Sequence, residues 1–373
     1  MKNIPQVYFY MPKQEMLAGD VPEDADINWS DFMDCMRKPG VGSKFIIGSY
    51  CWILQTFLYL RQAGFSCKIT TNIPDEGIII GQRAALPFNL KPKQNQLIIC
   101  IKADCEVHHY AHLHIVQNPQ EEKEFKDAFF IPLWPQPGLI PRNQSRENKF
   151  ENIAFYGVSA SLAPELINPN WAAQLESMGL NWQIVGEERW HDYSDTDAVI
   201  AVRSFAQKQG YNHKPATKLY NAWLADVPAI LGIDSAFRAE RQSELDYLEI
   251  TSIDEAIAAL QRLRDNSELY QAMIKNGQAR AEKFKVKSLI QKWEEFFNDV
   301  AFPAYYRWCK LSSLQQKLWL AKQQLIVTEN NLRPNPYYPY ELDPVNNDHI
   351  GIQDSVLIST LELYRKMKRL VTR

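Results

Sequence analysis

Short apolar runs alternate along this chain with stretches in which apolar residues fall at helical spacing, and that alternation is the signature of α/β layers. In the first part, residues 7–10, 67–71, 76–81, 97–101, 111–116 and 129–133 read as strands. Residues 48–63 read as a helix stopped by Gly64. Residues 135–150, rich in Pro, Asn, Arg and Gln, break the pattern and read as a linker. A second α/β run follows: strands at 153–157, 182–185, 197–202, 227–231 and 247–250, with helices near 171–178, at 254–264 and at 268–284. Leu289, Trp293 and Phe296 form an amphipathic stretch, and Leu311, Leu314, Leu318 and Leu325 share one face of a later helix. Residues 333–347, rich in Pro, Tyr and Asn, cannot be helical. The tail from 352 is amphipathic and ends basic, with Arg365, Lys366, Lys368, Arg369 and Arg373.

At 373 residues the chain is long enough for two ordinary domains with full cores. The expected layout is a first Rossmann-like domain over 1–134, the linker, a second over 151–302 and a helical extension over 303–373. Forty-one basic against 44 acidic residues, a net charge of −3 and a pI near 6.2 give no field that would draw nucleic acid. Six cysteines without paired spacing, and a start without a basic and apolar leader, point to a cytoplasmic, thiol-reduced protein. No run reaches the ~20 apolar residues that span a bilayer.

The segment 214–232 carries the most chemistry. Lys214 and Lys218 flank a short turn, and Pro215 and Thr217 suit the first positions of a helix. Leu219, Ala222, Trp223 and Ala225 give that helix one apolar face, and 227–231 has the composition of a central parallel strand. A helix start with free N–H groups and two ammonium groups is a physical site for a phosphate or pyrophosphate.

That block resembles the donor-binding part of GT-B glycosyltransferases, and most of all their family 4-like members (glycosyl transferases group 1). Their pattern is an acidic residue, seven residues, a second acidic residue, Ala, two residues, a Gly-Val-Pro-like step and a strand. Ala222, Val227 and Pro228 match it. His213 and Asn221 stand where the two acidic residues would be, and Asp226 where Gly is usual. Asn221 can still hydrogen-bond a ribose hydroxyl, without the strength of a carboxylate. The resemblance implies an α/β fold of GT-B architecture: two Rossmann-like doubly wound domains facing a cleft, with extra C-terminal helices. It implies a nucleotide sugar held by the second domain, a carbohydrate or other hydroxyl acceptor held by the first, and metal-independent transfer with no cofactor. A terminal helix packing back across the first domain is the expected fate of the tail, a weak membrane-surface contact its alternative.

On that reading Arg203, at the end of strand 197–202, joins Lys214, Thr217, Lys218 and Asn221 at the donor. Trp190 and Tyr193, in the Trp-His-Asp-Tyr run after Gly186, are placed to stack a base. Their structural alternative is a cluster at a helix start. Lys102 and Asn118 follow first-domain strands and would face the cleft from the acceptor side, as would Asp104. Asp104, expected to be buried there, is the candidate catalytic base on the acceptor hydroxyl. His108, His109, His112 and His114 lack the offsets of a metal site and read as packed or surface histidines. The glycine-lysine loop at 40–44 lacks Walker spacing and reads as a cleft loop. A nucleotide-sugar epimerase and a non-catalytic nucleotide-binding or sugar-binding protein are the alternatives on the same scaffold.

Overall fold

The computed structural model describes residues 4–13, 15, 48–206 and 210–331. The loop at 40–44, the stretch 333–347 and the basic tail lie outside the described residues. After β1 (Val7–Tyr10), a π-helical segment, Ser49–Leu54, runs directly into α1 (Gln55–Gln62). Gly64 stops that helix as expected: its φ of +87° is a conformation that a Cβ disfavours, and it lets the Phe65 N–H reach the Leu60 carbonyl at 2.9 Å. There follow β2 (Cys67–Thr70), β3 (Gly77–Gln82), β4 (Gln96–Ile101), β5 (Leu113–Val116), α2 (Pro119–Glu124) and β6 (Ala128–Phe130). All six strands are parallel, in the order β2-β1-β3-β4-β5-β6. Both faces of β3 and β4 are buried, which is why they read as continuous apolar runs. Ile78, Ile80, Leu97, Ile99 and Ile101 point into one core, Ile79, Ile98 and Cys100 into another on the opposite face.

Residues 135–150 lie along the second domain. Ile140 bridges to Asp192, and the Arg142 N–H donates to the Ala225 carbonyl. The Nε groups of Arg142 and Arg146 both donate to Asp197 Oδ1, at 3.0 and 2.9 Å. Burial alone would raise the Asp197 pKa, but these guanidinium bonds and the Glu151 and Asn152 N–H groups hold it below its usual range.

The second domain runs β7 (Asn152–Tyr156), α3 (Pro164–Ile167), α4 (Pro169–Ser177), β8 (Asn181–Val185), β9 (Ala198–Ala201), α5 (Thr217–Leu224), β10 (Ala229–Leu231), α6 (Ser235–Glu240), β11 (Leu248–Glu249), α7 (Ile253–Asp265) and α8 (Ser267–Ala281). Its five parallel strands take the order β11-β10-β9-β7-β8. In each sheet the second strand lies outside the first and the third lies on its other side, so the chain switches direction between β1 and β3, and again between β7 and β9. Ligands of doubly wound sheets sit at the carboxyl ends flanking such a switch. α5 ends with Asp226 at φ +60°, where its N–H and that of Val227 reach back to the Trp223 and Ala222 carbonyls. A Gly at position 226 would take the same left-handed conformation at lower cost.

The chain then returns to the first sheet through α9 (Val286–Phe296), a π-helical segment, Phe297–Ala301, α10 (Phe302–Cys309) and α11 (Ser313–Asn331). Leu289, Trp293, Phe296 and Phe297 share a core with Phe57, Ile131 and Trp134. Phe297 stacks on Phe65 with ring centroids 4.6 Å apart. The expected leucine face of α11 is corrected in part: Leu314 and Leu318 are 67% and 61% exposed. The helix is instead rotated by Trp319, which stacks on His112 at 4.9 Å while Trp308 meets the same imidazole edge-on, so Gln316 and Val327 turn inward. The architecture is thus α/β, with two Rossmann-like parallel sheets and returning C-terminal helices. Among the described residues no helix is long and apolar enough to cross a membrane.

Candidate active site

The carboxyl edges of the two sheets meet directly. Gln117 and Asn118, just after β5, donate from their side-chain amides to the His213 and Lys214 carbonyls at 2.8 and 3.1 Å. Asn118 Nδ2 also donates to Ser235 Oγ at 2.9 Å, at the start of α6. Asp104, after β4, accepts from Gln117 and forms an ion pair with Lys214 across the same junction.

Four residues surround the switch point of the second sheet. Gly157 follows β7, Arg203 follows β9, Asp234 follows β10, and Lys218 stands on the first turn of α5. Arg203 Nε donates to Asp234 Oδ2 at 2.8 Å, and the guanidinium lies over the Tyr211 ring. Burial raises the Asp234 pKa, opposed by Arg203, Lys218 and Lys214. Lys218 is half-buried, its Nζ 5.2 Å from the Phe155 ring centroid, and among the described residues it has no hydrogen-bonded partner. Loss of surrounding water, then the Arg203 charge, bring its pKa down to about 7. Thr217 is the first helical residue of α5, next to Lys218. Arg203, Lys214 and Lys218 are gathered where the first part of the chain and α5 converge.

Other expected site residues stand elsewhere. Lys102 is fully buried beneath α2 in an ion pair with Glu121 at 2.5 Å, so it does not face the cleft. Asn118 is also fully buried; besides its two bonds to the second domain its Oδ1 caps α2 by accepting from the Gln120 N–H, which leaves it no free amide for an acceptor. Asp104 is exposed rather than buried, because the turn after β4 projects toward Lys214. Tyr193 is a core residue stacked on Tyr156 at 3.8 Å, not a platform for a base. Trp190 is half-buried and donates from Nε1 to the Val185 carbonyl at 3.1 Å. Asn221 accepts from the Gln136 N–H at 3.2 Å and is hydrogen-bonded to Tyr193, so its amide ties the linker to α5.

His213, one residue before Lys214, has its pKa lowered to about 4, by burial first and then by Lys214. It is a neutral imidazole at neutral pH. His108 and His114 are buried and His112 is half-buried, as packed histidines should be, and among the described residues no three His, Cys, Asp or Glu side chains cluster closely enough to hold a metal ion. Gly157 and Asp234 went unrecognised in the sequence. A Gly closing a strand and an Asp-Ser pair opening a helix were the available signals.

No protein-family model matches the chain, and no curated protein does. Solved structures that it resembles include HepE of Anabaena with UDP-glucose, at 11% identity over 79% of this chain and 100% of that one with a TM-score of 0.45. TarM matches at 13% identity over 66% of this chain, TM-score 0.43, and this chain spans 58% of its length. Sucrose-phosphate synthase of Thermosynechococcus elongatus matches at 11% identity over 71% and 80% of the two chains, TM-score 0.43.

Proposed function

We propose that this protein is a GT-B-type, family 4-like glycosyltransferase that moves a sugar from a nucleotide-diphosphate donor to an acceptor hydroxyl. The observation that carries the reading is Lys218: an ammonium with no carboxylate partner among the described residues, at the switch point of the second sheet, with Arg203 and the start of α5 beside it. A diphosphate seated there supplies the missing negative charge. As the bond between the anomeric carbon and the diphosphate oxygen breaks, the departing group gains charge, and Arg203, Lys214 and Lys218 stabilise it in a preorganised, partly dehydrated setting. They do so without a metal ion. The acceptor oxygen bonds to the anomeric carbon, and its proton passes to Asp104 or to the departing phosphate. For this, Lys214 exchanges Asp104 for the phosphate, which frees the carboxylate at the moment the donor arrives.

A second reading, a nucleotide-binding protein without turnover, is favoured by one observation. The Asn221 amide is occupied by Gln136 and Tyr193, and His213 is neutral, so neither replaces the acidic pair in charge. A thermal-shift panel of nucleoside diphosphates followed by product analysis with a labelled donor tests both. Transfer or donor cleavage that Lys218→Ala reduces strongly at little cost in melting temperature supports the enzyme. Binding with intact donor after hours supports the second reading, and an interconverted sugar an epimerase. No nucleoside diphosphate binding at all would overturn both.

A further inference from the structure

The geometry points to an oxyanion subsite at Arg83, on the first-domain side of the junction, that takes a phosphate or carboxylate group carried by the acceptor. Arg83 is the residue immediately after β3, one of the strands that flank the switch point of the first sheet, and its N–H donates to the Ile101 carbonyl at 2.9 Å, so its backbone is fixed by the ladder. The residue is only 4% exposed, yet its Nε is buried with no hydrogen-bond acceptor, and among the described residues no carboxylate pairs with it. Its guanidinium carbon lies over the Phe88 ring, 5.8 Å from the centroid.

A buried cation without a partner is costly, and an Arg in that state is explained by an anion that arrives with a ligand. Among the described residues none of the groups that feel its charge forms an ion pair with it. Cys100 and Cys105 are thiols whose pKa burial raises, and the His109 pKa is lowered by burial and then by Arg83 itself. The planar guanidinium presents parallel N–H groups to two oxygens at once, which suits phosphate and carboxylate and no neutral sugar hydroxyl as well. Naming the ligand as the acceptor rests on the glycosyltransferase reading; the subsite itself does not.

The test is a thermal-shift titration with inorganic phosphate and, separately, acetate, at constant ionic strength against chloride, on wild type, Arg83→Met and Lys218→Met. One of the two oxyanions is expected to raise the melting temperature of wild type and of Lys218→Met and to leave Arg83→Met unmoved. Phosphate alone or acetate alone then says which group the acceptor bears. Arg83→Met should melt no lower than wild type in chloride, because it removes an unpaired buried charge. Arg83→Lys, which keeps the charge and loses the fork, should respond weakly. A response that persists in Arg83→Met, or that is absent from wild type, overturns the subsite. A nucleoside diphosphate arm reports on the donor site independently, since its response should vanish in Lys218→Met and survive in Arg83→Met.

Discussion

Gly157 and Lys218 are fitted to each other: a Cβ on Gly157 would lie 3.2 Å from the Lys218 Nζ and 3.0 Å from the tip of the Phe155 ring. The backbone there also has φ +154°, which a side chain resists. Gly157→Ala is therefore expected to cost about 1–3 kcal/mol of stability through strain. It should also push the ammonium away from the switch point and weaken nucleoside diphosphate binding about tenfold or more, a coupling of 1.4 kcal/mol per decade. Calorimetry on the folded variant decides; unchanged affinity would separate Gly157 from the donor site.

Lys218 should make diphosphate binding depend on pH. Its pKa of about 7 in the free protein rises when an anion sits against the ammonium, so binding takes up a proton. The uptake should be small at pH 6, where the amine is already charged, and approach one proton at pH 8. Titrations in two buffers of different ionisation enthalpy measure it directly. Uptake that is no larger at pH 8 than at pH 6, or that survives in Lys218→Met, would count against the assignment.

The fully buried pair Lys102–Glu121 is a structural device, and removing one partner should show it. Burial raises the Glu121 pKa to about 7, with Lys102 pulling it back down, and among the described residues Glu121 Oε2 has no hydrogen-bond partner. Lys102→Met leaves a buried carboxyl without its cation and is expected to cost ~3–5 kcal/mol. The double variant Lys102→Met, Glu121→Leu should recover most of that. Denaturant unfolding of the four forms measures the coupling, and additive losses would place the pair in a more solvated setting.

The fold was largely legible because parallel strands buried on both faces, such as β3 and β4, announce themselves as apolar runs. Gly64 and the Lys214 to Leu231 block carried explicit start and stop signals. The site was less legible. Periodicity says which face of an element is apolar but not which polar groups a tertiary contact consumes, and that is what happened to Lys102, Asn118 and Asn221. The Trp-His-Asp-Tyr run suggests a ring for a base at Tyr193, but Tyr156 at the end of β7 stacks on that ring. α2 went unseen because Pro119–Glu124 is polar throughout and only the Asn-Pro cap signals it. The leucines of α11 obeyed helical spacing, yet Trp319 stacked on His112, with Trp308 edge-on to the same ring, goes with a different rotation of that helix.

That histidine also makes a prediction about acid stability. His112 accepts the Ile98 N–H at Nδ1, is enclosed by Trp308 and Trp319, and has its pKa lowered to about 3, chiefly by burial. In the unfolded chain an imidazole titrates near 6.5. Between those values the unfolded state binds the proton and the folded state does not, so the contribution of His112 is fully present above pH 6.5 and is lost as the pH falls toward the folded pKa. In that window the slope is about 1.4 kcal/mol per pH unit. His112→Phe removes the proton difference while keeping an aromatic ring between the tryptophans. It should be less stable than wild type at pH 7.5, because the Ile98 N–H loses its acceptor, but its stability should fall less steeply below pH 6, by about that slope. Chemical denaturation at pH 7.5, 6 and 5 gives both numbers. Parallel curves for the two proteins would show that the imidazole is already protonated in the folded state, and the packing of α10 and α11 on the first sheet would then need a charged group at its centre.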